Sequence, residues 1–395
     1  MHAQNEENVR RNSHENRPIS SLDNVMTRTH VLTRVDTRPI DIASDEIVVV
    51  TTVRNEYARL PHFLDYYRRQ GVGRFLVIDN DSSDGTADLL RSQTDCHVFH
   101  TRNSYRDSRF GIAWQNTLLD TYGVGRWCLT VDADELLVYP HCEHVDMRDL
   151  CHFLDNAGDE ALYTFLLDMY PEGRLADAVC EPGTPYLEVC PYFDREYAFV
   201  ERLKVPGMPP LFPPLEVIGG PRLRLFYPEQ RGTRLWPRVW PRVLAYVGRV
   251  LAFSGLVDLR RIPQPAPLLY KVPLVKWRSG CEYRASTHKL AHVKLSEVTG
   301  VLLHFKFFAD FDEKAHMEAT RGEHYASGSE YARYLRCPEA LHGLRYEGSV
   351  AYRGSDVLLT QGLLKTTRAF DQLRMVHSDA AVPSLSRPMI SKGTS

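Results

Sequence analysis

Three closely spaced acidic residues, Asp132, Asp134 and Glu135, have the types and spacing that most directly suggest chemistry in this sequence. They follow the apolar run 127–131, which is typical of a strand covered on both faces. Because residues i and i+2 of an extended chain point the same way, Asp132 and Asp134 are predicted to project together. Two carboxylates held this close repel each other, so the pair predicts a bound cation. The alternative is a solvated acidic turn that simply ends the strand.

The elements that must position these acids alternate between strand and helix. Runs of β-branched residues predict strands, and apolar residues spaced i, i+3, i+4 and i+7 predict helices. In chain order we predict strand 46–53, helix 60–67, strand 74–79, helix 86–93, strand 96–100, helix 109–122 and strand 127–131. This order predicts an α/β fold with a doubly wound parallel sheet. Such sheets bind ligands at the carboxyl ends of their strands, where Arg54, Glu56 and the acidic loop 79–84 also fall.

Composition argues against several classes of protein. A chain of 395 residues can form one large α/β domain with additions, and a net charge of −2 gives no reason to expect a nucleic-acid partner. The eight cysteines form no C-x-x-C pair and no zinc-ligand spacing, which favours packed free thiols in a reducing cytosol. No signal peptide is visible, and no apolar run reaches the roughly 20 residues of a membrane span. We therefore expect a cytoplasmic protein.

Several motifs in fixed order are similar to those of one enzyme family. The segments VVTTVRNE, LVIDNDSSDGTADLL and WCLTVDADE resemble the nucleotide-sugar half of a family 2-like glycosyltransferase with the GT-A fold. This likeness covers residues 46–140 strongly. The segments GGPRLRLF, LYKVPLVKW, STHK and LLHFK resemble one bacterial branch of the same superfamily. The resemblance implies a Rossmann-like, mostly parallel sheet flanked by helices, with an acceptor-side extension.

The resemblance also implies roles for the residues at the strand ends. In such enzymes the acidic motif holds Mn²⁺ or Mg²⁺ against the donor diphosphate, which implies Asp134 as a metal ligand. Asp132 would share the metal or contact the ribose. Residues implied to contact the nucleotide sugar are Glu56, Asp79 and Asp81, with Arg54 and Arg109 facing phosphate oxygens. For the arginines, a solvated helix face is an equally good interpretation.

A late histidine could complete the site. His304 ends the apolar run 298–305, and enzymes of this fold often take a further metal ligand from such a segment. A histidine packed and hydrogen-bonded in the core is the alternative. Lys306, on the same face of the strand, would lie near the diphosphate.

An inverting transfer also needs a base that accepts the proton of the acceptor hydroxyl. Asp168 follows the apolar run 161–167, so it is predicted at the sheet edge on the acceptor side, and Asp194 is a second candidate. The acidic pair that the family commonly uses for this role is not clearly present.

The predicted organisation has four parts. Residues 1–45 form a polar N-terminal arm that is either disordered or, at most, an ordered arm. Residues 46–140 form the nucleotide-sugar half. Residues 141–310 form the acceptor half, with a Pro/Arg/Trp-rich insertion at about 201–270, and 311–395 form a helical extension and tail. The insertion is either a helical excursion over the acceptor cleft, which we favour, or a peripheral contact with the inner face of a membrane.

These observations predict a metal-dependent, inverting glycosyltransferase that uses a nucleotide-sugar donor, a UDP-sugar first among them. Its acceptor would be a glycan or a lipid-linked sugar of polysaccharide biosynthesis. One rival is a non-catalytic scaffold that binds sugar nucleotides. The other is a nucleotidyltransferase, although the loop after the first strand, TTVRNE, lacks the glycines expected of that class.

Overall fold

The fold is built on one large mixed sheet with helices on its faces. A computed structural model describes residues 24–26, 31–202, 212–230, 266–284, 290, 293–323 and 329–380. The strands are β1 Asn24–Met26, β2 Val31–Arg34, β3 Ile47–Val53, β4 Val72–Asp79, β5 Cys96–His100, β6 Trp127–Thr130, β7 Glu135–Val138, β8 Ala161–Tyr170, β9 Tyr192–Asp194, β10 Tyr197–Glu201, β11 Leu215–Gly219, β12 Tyr270–Lys276, β13 Leu295–Thr299, β14 Val301–His304 and β15 Ser349–Ala351. The predicted α/β class is confirmed.

Helices connect and cover these strands. The α-helices are α1 Leu60–Arg69, α2 Thr86–Ser92, α3 Ile112–Leu118, α4 Met147–Ala157, α5 Tyr186–Val189, α6 Phe311–Arg321, α7 Ser329–Tyr334, α8 Glu339–His342, α9 Ser355–Thr360 and α10 Arg368–Ala380. Short π-helical turns are Leu119–Gly123 and Arg222–Phe226, and 3-10 turns are Leu175–Asp177 and Pro228–Gln230.

The first half of the sheet is parallel, in the order β5-β4-β3-β6. Its strands are almost wholly buried because α1, α2 and α3 cross between them and cover both faces. Helix α1 buries Leu60, Phe63, Leu64 and Tyr67, the residues whose spacing predicted it. The predicted order of strands and helices up to β6 is therefore confirmed.

Beyond β6 the sheet becomes mixed. The strand β12 pairs antiparallel with both β6 and β8, and β14 lies between β8, to which it is parallel, and β7, to which it is antiparallel. The acidic segment therefore does not end at a free sheet edge. It connects the central strand β6 to the distant strand β7, so its carboxylates lie where the parallel and antiparallel halves meet.

The predicted helix 109–122 is shorter than expected. Three consecutive residues, Arg109, Phe110 and Gly111, have left-handed backbone conformations with φ of 59°, 61° and 78°. L-residues other than glycine and asparagine rarely adopt this region, and it cannot continue a right-handed helix. The helix therefore begins at Ile112.

The described part of the N-terminal arm contributes the strands β1 and β2. Residues Val31–Arg34 pair antiparallel with β5, and Asn24–Met26 pair with β2, so the arm extends the sheet at one edge. Most of the predicted insertion at 201–270 and the tail after 380 lie outside the described residues. Among the residues that the structure describes, no helix is both long and apolar enough to cross a membrane.

Replacing Leu129 by Ala should destabilise the fold. Leu129 is fully buried in the middle of β6, between Val49 of β3 and Leu274 of β12. Truncating a leucine in such a core leaves a cavity and typically costs about 2–5 kcal/mol. Val124, which is 43% exposed, provides the control, because Val124→Ala should change the unfolding free energy by less than about 0.5 kcal/mol. Urea unfolding of both variants measures the difference, and equal midpoints would contradict the assigned core.

Candidate functional site

A polar cavity of about 360 Å³ lies at the carboxyl ends of β3 and β6, beneath α6 and α7. Seven guanidinium or ammonium groups and six carboxylates line it, together with one imidazole. These charged residues are Arg54, Glu56, Arg59, Asp132, Asp134, Glu135, Arg222, Lys271, His304, Lys306, Lys314, Glu318, Arg321 and Glu330. Six residues predicted from the sequence are thereby brought to one place: Arg54, Glu56, Asp132, Asp134, His304 and Lys306.

Strand pairing explains how residues far apart in sequence meet here. His304 is the last residue of β14, and antiparallel pairing with β7 sets it opposite Glu135. Parallel pairing with β8 sets the same residue opposite Asp168. Because a strand's side chains alternate between faces, this register fixes which neighbours His304 can touch. The predicted strand-end position of His304 is confirmed.

Asp134, Glu135 and His304 form a cluster that could hold a metal ion. One potential ligand atom from each lies within 4.8 Å of the others. Asp134 Oδ2 is 3.5 Å from His304 Nε2, and the Asp134 side chain is 27% exposed, so the pair can be reached from the cavity. Burial raises the pKa of the Asp134 carboxyl, but the neighbouring His304 together with Arg59, Lys314 and Lys271 outweighs burial and lowers it. Asp134 is therefore held as a carboxylate.

A buried carboxylate supports His304 from behind. His304 Nδ1 lies 2.6 Å from Asp168 Oδ1, and Arg222 donates to the same oxygen at 2.7 Å. Burial alone would raise the pKa of Asp168, yet Arg222 and His304 hold it well below its usual range. In the tautomer that carries the proton on Nδ1, His304 donates to this carboxylate and directs its Nε2 lone pair towards Asp134.

The placement of Asp168 differs from the sequence prediction. The strand β8 continues to Tyr170, so Asp168 lies inside the strand and not at its end. Its side chain is fully buried and does not line the cavity. Two further positions, Met169 and Tyr170, extend the strand beyond Asp168, and both pair with β9.

Lys271 is a site residue that the sequence prediction missed. Its Nζ lies 2.5 Å from Glu135 Oε1 and 3.0 Å from Asp132 Oδ2, and the residue is only 5% exposed. Burial lowers the pKa of Lys271, but the two carboxylates outweigh burial and raise it, so the ammonium stays charged. A lysine inside the apolar run of β12 was the available signal, because an unpaired lysine is rarely buried.

Helix α6 contributes further charged groups that sequence reasoning missed. Lys314 Nζ lies 3.0 Å from Glu56 Oε1, and Arg59 binds Asp310, the residue before α6, through two hydrogen bonds of 2.8 and 2.9 Å. Burial lowers the pKa of Arg59, while Glu56 and Asp310 outweigh burial and raise it. The Lys314–Glu56 and Arg59–Asp310 ion pairs therefore hold α6 over the carboxyl end of β3.

Arg54 and Lys306 are the predicted phosphate ligands that reach the cavity. Arg54 donates to the Asn80 carbonyl oxygen at 2.5 Å, and within the described ranges no carboxylate lies within 4.0 Å of it. The Lys306 Nζ lies 4.6 Å from the ring centre of Tyr331 and 3.7 Å from Glu330 Oε1. Each cation therefore has a polar neighbour within the protein, but neither forms a short, buried ion pair.

Two predicted nucleotide contacts, Asp79 and Asp81, do not line the cavity. Asp79 is 2% exposed, accepts a hydrogen bond from the Ser82 backbone N–H and lies 3.3 Å from His100 Nδ1. Asp81 pairs with Arg102 on the surface. Asn80, between them, lines the cavity instead. Asp79 thus shapes the loop that presents Asn80.

Arg109 and Asp194 are not brought to this cavity. Arg109 donates to the Arg284 carbonyl oxygen at 3.1 Å on the surface. Asp194 accepts two hydrogen bonds from Arg224 and one from Tyr170 and lines a separate cavity of about 240 Å³. Burial outweighs Arg224 and raises the pKa of Asp194.

Comparison with known proteins identifies no family for this chain. No protein-family model matches the sequence, and no curated protein is detectably similar to it. One solved structure that the chain resembles is a 4-diphosphocytidyl-2C-methyl-D-erythritol synthase, at 15% identity and a TM-score of 0.21. The match covers 33% of this chain and 65% of that one, slightly under two thirds of the neighbour's length. A likeness this distant carries no functional conclusion. The chain is an α/β protein with a charged cavity at the carboxyl edge of its sheet.

Proposed function

We propose that the chain is a glycosyltransferase of the GT-A type that uses a nucleotide-sugar donor and a divalent cation. The observation that supports this most is the Asp134–His304 pair at the cavity wall, with Asp168 behind the imidazole. A carboxylate that orients a histidine from behind is the usual second layer of a metal site. The cavity also offers Arg54 and Lys306 for phosphate oxygens.

The residues present suit Mn²⁺ or Mg²⁺. Carboxylate oxygens with one imidazole match Mn²⁺, and Mg²⁺ accepts one or two carboxylates with substrate phosphates completing its shell. Asp134 and His304 would hold the ion, with Asp132 and Glu135 nearby. When bound, the ion supplies charge neutralisation for the departing nucleoside diphosphate. Asp132 is half-exposed and Glu135 is buried, so an ion in the cavity could reach the Asp132 carboxylate more easily than the Glu135 carboxylate.

Residues of this chain would position the donor between two walls. On the β3 side, Glu56 and the Asn80 loop offer oxygen acceptors for the nucleoside hydroxyls and base N–H groups. On the β14 side, Lys306 and Arg222 carry positive charge towards the same volume. Since Asp168 is buried and paired, we propose that it positions His304 and does not deprotonate the acceptor.

A thermal-shift panel of nucleotide sugars, with and without Mn²⁺, tests the donor class. One UDP-sugar should raise the unfolding midpoint only when metal is present, because a ligand that binds the native state stabilises by mass action, about 2.7 kcal/mol at 100 times its Kd. The uncharged sugar alone, without its nucleotide, is the matched control and should give no shift. Absence of a shift with every donor would refute the proposal.

A turnover assay separates the proposal from its rivals. A glycosyltransferase should release nucleoside diphosphate from the stabilising donor, by transfer or by slow hydrolysis. Release of pyrophosphate from a nucleoside triphosphate and a sugar phosphate would instead identify a nucleotidyltransferase. Binding without any release, across a panel of glycan and lipid-linked acceptors, would indicate a sugar-nucleotide-binding scaffold.

A further inference from the structure

A buried ammonium group lies within the acidic cluster at the cavity wall. Lys271 Nζ approaches Glu135 Oε1 to 2.5 Å and Asp132 Oδ2 to 3.0 Å, while Asp134 is paired with His304 instead. Both the lysine and the carboxylates line the same cavity. The three acids of the segment are thus divided between the Lys271 ammonium and the His304 imidazole.

We propose that Lys271 is a tethered cation that keeps Glu135 and Asp132 out of the coordination shell of the divalent ion. Asp134 and His304 are then the only protein ligands of that ion within the described part of the chain, and the remaining positions are open to donor phosphate oxygens and water. This inference rests on the proposed function and concerns the same site. It assigns the buried lysine a role in setting how tightly the site holds metal without donor.

The position of Lys271 is fixed by the sheet. The register of β12 against β8 shifts between Lys271 and Leu274, where Pro273 removes a backbone donor. Before that shift, at Lys271 itself, Thr164 Oγ1 donates to the lysine carbonyl oxygen at 3.2 Å. The lysine backbone is therefore held against β8 at Thr164, and its side chain reaches the acidic segment.

Glu135 is fixed as firmly as the lysine. It is 1% exposed, it begins β7, and its Oε2 accepts a hydrogen bond from the Asp132 backbone N–H at 3.2 Å. With one oxygen on the lysine and the other on the backbone, both of its oxygens are engaged. Each of these oxygens keeps a second lone pair, so a metal ion that approached Glu135 would compete with the positive charge of Lys271 for the carboxylate.

Charge balance explains why such an arrangement would serve catalysis. Three carboxylates and a histidine without an internal cation would bind a divalent ion tightly and fill its shell with protein atoms. An ion held by two protein ligands keeps more positions for the diphosphate. Metal binding and donor binding would then depend on each other, and the metal could leave with the product.

Mn²⁺ affinity without donor, measured by electron paramagnetic resonance, tests the inference. Lys271→Met should bind Mn²⁺ at least about tenfold more tightly than the wild type, because a unit positive charge next to the ion is removed and Glu135 is released. A lysine that only supported the fold would give unchanged or weaker affinity on removal. Lys276→Met is the matched control, since Lys276 lies on the same strand, is 40% exposed and pairs with Asp155 outside the cavity. It should leave Mn²⁺ affinity unchanged.

Further variants make the outcome decisive. Lys271→Gln, which keeps a hydrogen-bond donor, replaces the Met variant if the latter does not fold, as judged by circular dichroism, and the same gain is expected. Adding Glu135→Gln to either variant should return Mn²⁺ affinity towards the wild-type value. Affinity in the lysine variants equal to or below wild type would overturn the inference, and so would a gain that survives Glu135→Gln and Asp132→Asn together. Failure of the proposed function would show separately, as a wild type that no donor stabilises.

Discussion

Replacing Asp134 by Asn is expected to abolish metal-dependent donor binding while leaving the fold intact. The change removes a carboxylate that lies 3.5 Å from His304 Nε2 and keeps the size of the side chain. Losing a supporting residue behind a metal ligand commonly costs 10–100-fold in affinity, so losing the ligand itself should cost at least about 100-fold. Mn²⁺ titration followed by electron paramagnetic resonance, with thermal shift by the stabilising donor, gives the measurement.

The control for this variant is a carboxylate of similar chemistry elsewhere. Asp65 on α1 is 58% exposed and pairs with Arg69 four residues on, so Asp65→Asn should alter neither metal nor donor binding. The pKa of Asp134 lies below its ordinary value, so ionised Asp134 favours the folded state slightly. Global unfolding of Asp134→Asn at neutral pH would mean that the residue is structural, and the metal assignment would fail.

Replacing Asp168 by Asn should affect both stability and metal affinity. Asp168 is fully buried between Arg222 and His304, and neutralising it leaves the buried guanidinium with only the more distant Glu330 carboxylate at 3.8 Å. Removing one partner of a buried ion pair typically costs about 3–5 kcal/mol. Asn can also present an amide N–H to Nδ1, which would favour the wrong imidazole tautomer, so Mn²⁺ affinity should fall about 10–100-fold. Urea unfolding and Mn²⁺ titration measure the two effects.

The pH dependence of stability separates this charge effect from loss of packing. The pKa of Asp168 in the folded protein lies below its ordinary value of 3.8, so its stabilisation is fully present above that value. It is lost as the pH falls through the folded-state pKa. The difference in unfolding free energy between wild type and Asp168→Asn should therefore be largest at neutral pH and shrink below about pH 4. A difference that does not change with pH would indicate packing alone.

Asp155→Asn is the matched control for Asp168→Asn. Asp155 pairs with Lys276 at 2.6 Å, but both side chains are more than one third exposed, so water already screens the charges. Exposed pairs of this kind contribute at most about 1 kcal/mol. A loss from Asp155→Asn as large as that from Asp168→Asn would contradict the distinction drawn between buried and exposed pairs.

Local sequence pattern was sufficient for the first half of the fold. Apolar runs and i, i+3, i+4 spacing predicted β3, α1, β4, α2, β5 and β6 because strands buried on both faces and amphipathic helices have strong local periodicity. The same pattern placed Glu56 and Asp134 at strand ends. The predicted helix start at 109 was wrong because left-handed backbone at residues 109–111 does not change the spacing of the apolar residues. The pattern also ended β8 before Asp168, because a buried charge interrupts an apolar run without ending the strand.

By itself, the sequence determined the α/β class, the acidic segment and the strand-end position of His304, since each depends on residues adjacent in the chain. Only the tertiary structure decided which side chains meet. The register of β14 between β8 and β7 joins His304 to Asp168 and Glu135, and β12 delivers Lys271 to the acidic segment across more than 130 residues. A shift of one residue in either pairing would turn these side chains to the opposite face. Pairing of that kind is set by long-range packing, which no local pattern records.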